Sequence, residues 1–216
     1  MEQTAELQIN LFREQLPSME EIRTLSHLVH SCEVNQMRFA EQVEQNLSSN
    51  AGLTSLEAGI GLYILGRYRE ALAKLQKGPD GKEKHLYTAF ALRQLRKHDE
   101  AIQSLQRAKD AGAEALNVSL EKVATYRHAG NLEAAAKEIK SCANFQKVSA
   151  EYHYQLARLQ ETQGLYDEAI ANYKTALELA PSHQRALFHL AYRNDLSGYE
   201  DQAIEQYKQV VDRKST

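Results

Sequence analysis

Two cysteines, Cys32 and Cys142, are all the chain has for cross-linking among 216 residues, too few for a disulfide framework. Tryptophan is missing altogether, prolines number three and glycines ten. So little helix-breaking residue, set against abundant Ala, Leu, Glu, Gln, Lys and Arg, points to an all-helical chain. No window approaches the roughly 18 consecutive apolar residues of a membrane span, and the N-terminus carries no apolar signal-peptide core. A soluble protein in a reducing, cytoplasmic setting is expected.

Motifs of catalysis are also missing. No nucleophile elbow, zinc-protease helix or dinucleotide fingerprint occurs. "GPDGKEK", Gly78 to Lys84, lacks the spacing and the hydroxyl residue of a phosphate loop, and Asp80-Gly81 explains it as a turn. His27, His30 and Cys32 would supply at most two or three metal ligands, with no distant Cys or His pair to complete them. Neither an enzyme nor a resident metal or cofactor is expected.

What the chain does have is a period. "RYREAL", "KHDEAI", "NLEAAA", "YDEAIA" and "GYEDQAI" align on Ala71, Ala101, Ala135, Ala169 and Ala203, spaced by 30, 34, 34 and 34 residues. Upstream of each alanine lies a segment with apolar residues at helical spacing, as in Leu56, Gly59, Ile60 and Tyr63 or Tyr152, Leu156, Ala157 and Leu159. Gly66, Gly130, Gly164 and Gly198 stand five residues before the alanine, where a positive φ can end one helix and start a turn. Arg96 replaces that glycine in the second unit, so a strained turn is expected there. A larger residue follows each alanine by four: Leu75, Leu105, Ile139, Tyr173 and Tyr207. Small-then-large on one face packs the second helix of each unit closely onto the first.

This pattern resembles the tetratricopeptide repeat family over about residues 52 to 212. It is clearest in the fourth unit, with Leu156-Ala157, Ala169, Tyr173, Ala176 and the closing Pro181, although no unit has the family's first-helix tryptophan. The resemblance implies an all-α, right-handed α-α superhelix. Five units are expected at about 52–81, 82–115, 116–149, 150–183 and 184–212, followed by a tail at 213–216. Ahead of them, Ser18 and Glu21 form a candidate capping box for a helix from Met19 to about His30, and Val34, Met37, Phe39, Ala40, Val43 and Leu47 mark a second helix. Residues 18–50 therefore read as a divergent hairpin capping the first repeat, and residues 1–17 as an extended or disordered arm.

Stacked hairpins present a concave face lined by their first helices. In register its N-terminal part is aliphatic (Leu53, Leu56, Ile60, Ile64, Leu86), open either to a partner or to the N-terminal hairpin. Farther on it becomes cationic and aromatic at Phe90, Arg93, Arg127, Tyr154, Arg158, Phe188 and Tyr192. Tyr, Phe and Arg are hot-spot residues, so the expected partner is a protein or peptide segment with acidic and apolar side chains. Packing between repeats is the competing reading for Tyr154 and Phe188. The Lys and Asn residues with which some family members clamp a C-terminal carboxylate have no counterparts at the matching positions.

Charge is uneven. Residues 1–57 carry nine acids and three bases, whereas residues 58–109 carry eleven bases and five acids. Nucleic-acid binding by the basic segment 67–109 is thus one alternative, since phosphate contacts need only clustered Arg and Lys. The other is self-association through the final helix, whose Ile204, Tyr207 and Val211 would normally be covered; continuation into a longer protein is the expectation. "GIGLYILGRYREAL" and "ALFHLAYRNDLSGYEDQAIEQY" are similar to certain bacterial repeat proteins that end in a domain like that of the RNA polymerase alpha subunit. That resemblance would imply a link to transcription.

Overall fold

The computed structural model describes residues 10–13, 15–48 and 55–212. No strand occurs among them, and the fold is an all-α succession of helix hairpins. It divides into two compact units, residues 1–113 and 114–216. None of the helices is long and apolar enough to cross a membrane.

The first unit holds α1 (Met19–Val29), α2 (Glu33–Ser48), α3 (Ser55–Ile64), α4 (Tyr68–Lys77), α5 (Lys82–Gln94) and α6 (His98–Asp110). Helix α1 starts on the expected capping box. Ser18 accepts from the Glu21 backbone, and the Glu21 carboxylate accepts from the Ser18 backbone at 2.7 Å. These hydrogen bonds, with Arg13 beside them, hold the Glu21 carboxyl below its ordinary pKa.

The part of the arm that is described departs from the extended or disordered reading. Leu11 is 1% exposed, and the Phe12 ring stacks on Phe39 at 6.5 Å. Gly61 is the reason they fit, since a β-carbon there would meet Val43 at 3.0 Å, with Phe12 and Leu11 just behind. Residues 1–9 and Leu53 lie outside the described residues, as does the tail at 213–216. Ile22, Leu25 and Val29 of α1 share one buried cluster with Ile60, Ile64, Tyr87 and Phe90, and His30 Nε2 lies 3.0 Å from the Ile64 carbonyl oxygen. Ile60 and Ile64 of the expected aliphatic stretch are thus buried in the same cluster as α1.

The second unit holds α7 (Ala115–His128), α8 (Leu132–Ser141), a 3-10 turn (Ala143–Phe145), α9 (Ala150–Thr162), α10 (Tyr166–Leu179), α11 (Gln184–Leu196) and α12 (Glu200–Asp212). The turn inside each repeat hairpin is the same in both units. Gly66, Gly130, Gly164 and Gly198 adopt φ of 77 to 79°, and the next amide donates five residues back, as Leu165 does to Gln160 at 2.9 Å. Arg96 takes the same conformation at φ 61°, and Lys97 donates to Leu92 at 2.9 Å. The hydrogen-bonding demand of the turn thus outweighs the steric cost of a β-carbon.

The repeat alanines Ala71, Ala101, Ala135, Ala169 and Ala203 are all buried, as are Leu75, Leu105, Ile139 and Tyr173. At Gly59 a β-carbon would stand 2.6 Å from Leu75 Cγ, so α3 and α4 touch along glycine. Each fully buried large side chain contributes roughly 1.5–3 kcal/mol.

Candidate functional site

Within the second unit the first helices of the last two hairpins bring a polar cluster together. Arg185, His189 and Arg193 recur every four residues along one face of α11 and meet Glu151, Tyr154, Arg158 and Glu161 of α9. At one end, Glu151 Oε2 accepts from Arg185 Nη2 at 2.6 Å and lies 3.2 Å from His183 Nε2, while Gln155 donates to Oε1 at 2.8 Å. Burial pushes the Glu151 carboxyl up, but His183, Arg185 and Gln155 more than reverse it, leaving it below the ordinary range. Burial pulls the Arg185 guanidinium down, and Glu151, Tyr154 and Glu121 together more than restore it.

At the other end, Glu161 Oε2 accepts from Arg158 Nη1 at 2.9 Å, and Arg193 Nε stands 2.8 Å from Oε1 but off the hydrogen-bond line. His189 sits between the two ends. Its ring lies parallel to Tyr173 at 5.8 Å, and Arg158 Nη1 is 2.7 Å from its Nδ1. Burial, together with the positive charges of Arg158, Arg127, Arg193 and Arg185, pushes the imidazole pKa down to about 3. His189 is therefore neutral at pH 7 and can accept the arginine hydrogen bond. Burial and Glu161 push the Tyr173 phenol well above its usual range, so it stays protonated.

The expected groove residues fall into three places. Phe90 is buried in the first unit, edge-on to Tyr87, with the Arg93 guanidinium 5.4 Å from its ring centre. Arg127, Arg158, Phe188 and Tyr192 belong to the second unit; Phe188 and Tyr192 are 46% and 41% exposed and stand beside the cluster. Tyr154 does not project as a hot spot should. It is 6% exposed, 5.0 Å from the His183 ring, and lies under Arg185, whose guanidinium carbon is 4.6 Å from the ring centre. Its role is packing, the competing reading of that residue.

On α12, Ile204 is exposed, Tyr207 is half-buried edge-on against Phe188 at 6.1 Å, and the side chain of Val211 lies outside the described residues. Burial raises the Tyr207 phenol. Tyr207 therefore packs on Phe188 of its own hairpin.

In the basic segment, Arg67 binds both Glu44 and Glu70, Lys97 pairs with Glu100 at 2.9 Å, and Lys84 donates to the carbonyls of Gln76 and Gly78. His30 of the "HLVHSC" stretch is turned to a backbone carbonyl. Sequence reasoning missed Glu151, His183, Arg185, His189 and Arg193. The signal was present, because Glu151 and Arg185 are opposite charges 34 residues apart, the same position in successive repeats.

Residues 150–183, which are α9, α10 and the turn after them, match the family model described as tetratricopeptide repeat. A protein of Pseudomonas putida (strain KT2440), named "Probable biofilm formation methyltransferase WspC", is 33% identical over 96 residues. That stretch is 43% of this chain and 23% of the relative, so this chain matches about a quarter of that protein's length. Among solved structures, the Cut9-Hcn1 hetero-tetramer of the APC/C gives a TM-score of 0.64 at 15% identity, covering 88% of this chain and 38% of that one. MamA from Desulfovibrio magneticus RS-1 gives 0.48 at 16%, covering 81% and 94%. The likeness to Cut9-Hcn1 is one of fold. None of these matches supports the narrower resemblance to repeat proteins with an RNA polymerase alpha-like domain.

Proposed function

We propose that this chain is a non-catalytic protein-interaction module, and that the α9–α11 face of its second unit receives a partner segment bearing acidic and apolar side chains. The observation that carries the reading is the gathering of Arg158, Arg185 and Arg193 around His189 and Tyr154, Arg158 Nη1 lying 2.7 Å from His189 Nδ1, with exposed Phe188 and Tyr192 alongside. Arginine beside an exposed aromatic ring is the composition of an interface hot spot. A positive field next to apolar area selects a partner carrying carboxylates and hydrophobes.

A protein partner is favoured over nucleic acid because the arginines of this face adjoin exposed Phe188 and Tyr192, the apolar area that a peptide's hydrophobic side chains would cover. The methyltransferase named in the Pseudomonas relative belongs to a protein of which the shared stretch is 23%, and the reading here concerns the repeat.

Selection from a random peptide display library tests this. Enriched peptides are expected to combine Asp or Glu with aromatic or aliphatic residues, and to lose binding to the Arg158→Ala, Phe188→Ala double variant. Tyr154 is left untouched because it is part of the packing. Enrichment without acidic residues, or equal binding by the double variant, would sink the proposal. Light scattering on the same protein reports whether Ile204 supports self-association instead.

A further inference from the structure

The arginine cluster already contains a carboxylate. Glu161 lies between Arg158 and Arg193 with its side chain 9% exposed, its Oε2 2.9 Å from Arg158 Nη1 and its Oε1 2.8 Å from Arg193 Nε. Two guanidinium groups carry ten N–H donors between them, and one carboxylate satisfies two to four. The fit is also imperfect. Arg158 Nε and Arg193 Nε are both buried without an aligned acceptor, and Glu161 Oε1 accepts no well-directed hydrogen bond. An arginine-carboxylate pair built for strength alone would be a bidentate fork with parallel N–H···O bonds. Here the charges are adjacent while donors are left over.

We propose that Glu161 is a resident competitor: it holds Arg158 and Arg193 in place, and a partner's acidic side chain must share or take over these arginines, so Glu161 sets how weakly acidic segments bind. This rests on the groove reading above and adds a specificity-determining residue to it. Its physical content is like-charge opposition, a built-in repulsive element that weakens without abolishing the binding of carboxylates lacking further contacts. The apolar side chains of a true partner, meeting Phe188 and Tyr192, would supply those contacts.

The test uses a fluorescein-labelled tetraglutamate peptide, with tetralysine as control, titrated by anisotropy into the full chain. Glu161→Gln is expected to tighten tetraglutamate binding at least fivefold, leave tetralysine unbound, and lose the gain when Arg158→Ala is added. Removing Glu161 strips two arginines of their counter-ion and endangers folding, so a measurement on the unaltered chain runs beside it. The Nε–H resonances of Arg158 and Arg193 should move on tetraglutamate addition, as Glu161 gives up its share of the two guanidinium groups. If the unaltered chain binds through Arg158 and folded Glu161→Gln binds no tighter, the competitor role is overturned and the groove reading stands. Static arginine resonances in a bound complex overturn it too. If neither folded protein binds tetraglutamate, the competitor role is overturned, and the groove reading is decided separately by the display selection of acidic and apolar peptides.

Discussion

Arg185 donates from Nη2 to Glu151 Oε2 at 2.6 Å across one full repeat period, joining the first turns of α9 and α11. The pair is partly exposed, which limits its worth to that of a screened ion pair, while His183 adds a neighbour on the same oxygen. A double-mutant cycle of Arg185→Ala and Glu151→Ala, followed by urea unfolding, should give a coupling energy of about 0.5–1 kcal/mol. Additive effects would mean that the two side chains touch without stabilising the hairpin stack.

The turn at Arg96 holds a side chain in left-handed backbone at φ 61°. Arg96→Gly should raise the unfolding free energy by up to about 1 kcal/mol, relief of strain being partly offset by the greater freedom of glycine in the unfolded chain. The converse substitution, Gly130→Ala, meets no atom within 4 Å, so its cost of about 1 kcal/mol would be backbone strain alone. Urea midpoints at constant slope decide both.

Gly59 invites the opposite error. Alanine favours a helix by about 1 kcal/mol over glycine, yet a β-carbon here would stand 2.6 Å from Leu75 Cγ and 3.1 Å from its backbone nitrogen. Gly59→Ala should therefore destabilise the first unit, by about 1–3 kcal/mol before the propensity gain is subtracted. Thermal melting of the variant above the parent would refute the packing argument.

His189 titrates at about 3 when folded and near 6.5 when unfolded. Between those values the unfolded chain binds the extra proton, so stability falls as pH drops from about 6.5 toward 3, by at most about 1.4 kcal/mol per pH unit. Glu151, held below the ordinary carboxylate range, pushes the same way under about pH 4.5. His189→Gln should flatten the slope between pH 6.5 and 4.5 while leaving the steeper acid limb. Parallel stability curves for the two proteins would show that the imidazole is not the group responsible.

The hairpins were legible because their determinants are local. Ala169 and Tyr173 are four residues apart on one helix, and Gly164 ends the preceding one; sequence spacing carries both facts. Leu11 and Phe12 escaped because no periodic pattern marks them, and the space they fill is made by Gly61 on a helix some fifty residues away. Tyr154 was misjudged for a related reason. Helical register puts it on the first-helix face, but whether that face is open depends on Arg185, which covers the ring from the next repeat. Charged residues such as Arg185 and Arg193 read as solvated until their partners one period away are paired with them. The cluster becomes visible only when the sequence is laid out in rows of 34.

Because Glu151 and Arg185 occupy equivalent positions in neighbouring hairpins, their bond works as a key cut for one lock. Splicing an extra, consensus hairpin between Pro181 and Ser182 would leave the His183 cap of α11 in place and still part the two. The order of these modules is therefore written into the chain by charge as well as by covalent sequence, and a shuffled array would stack without regaining this junction.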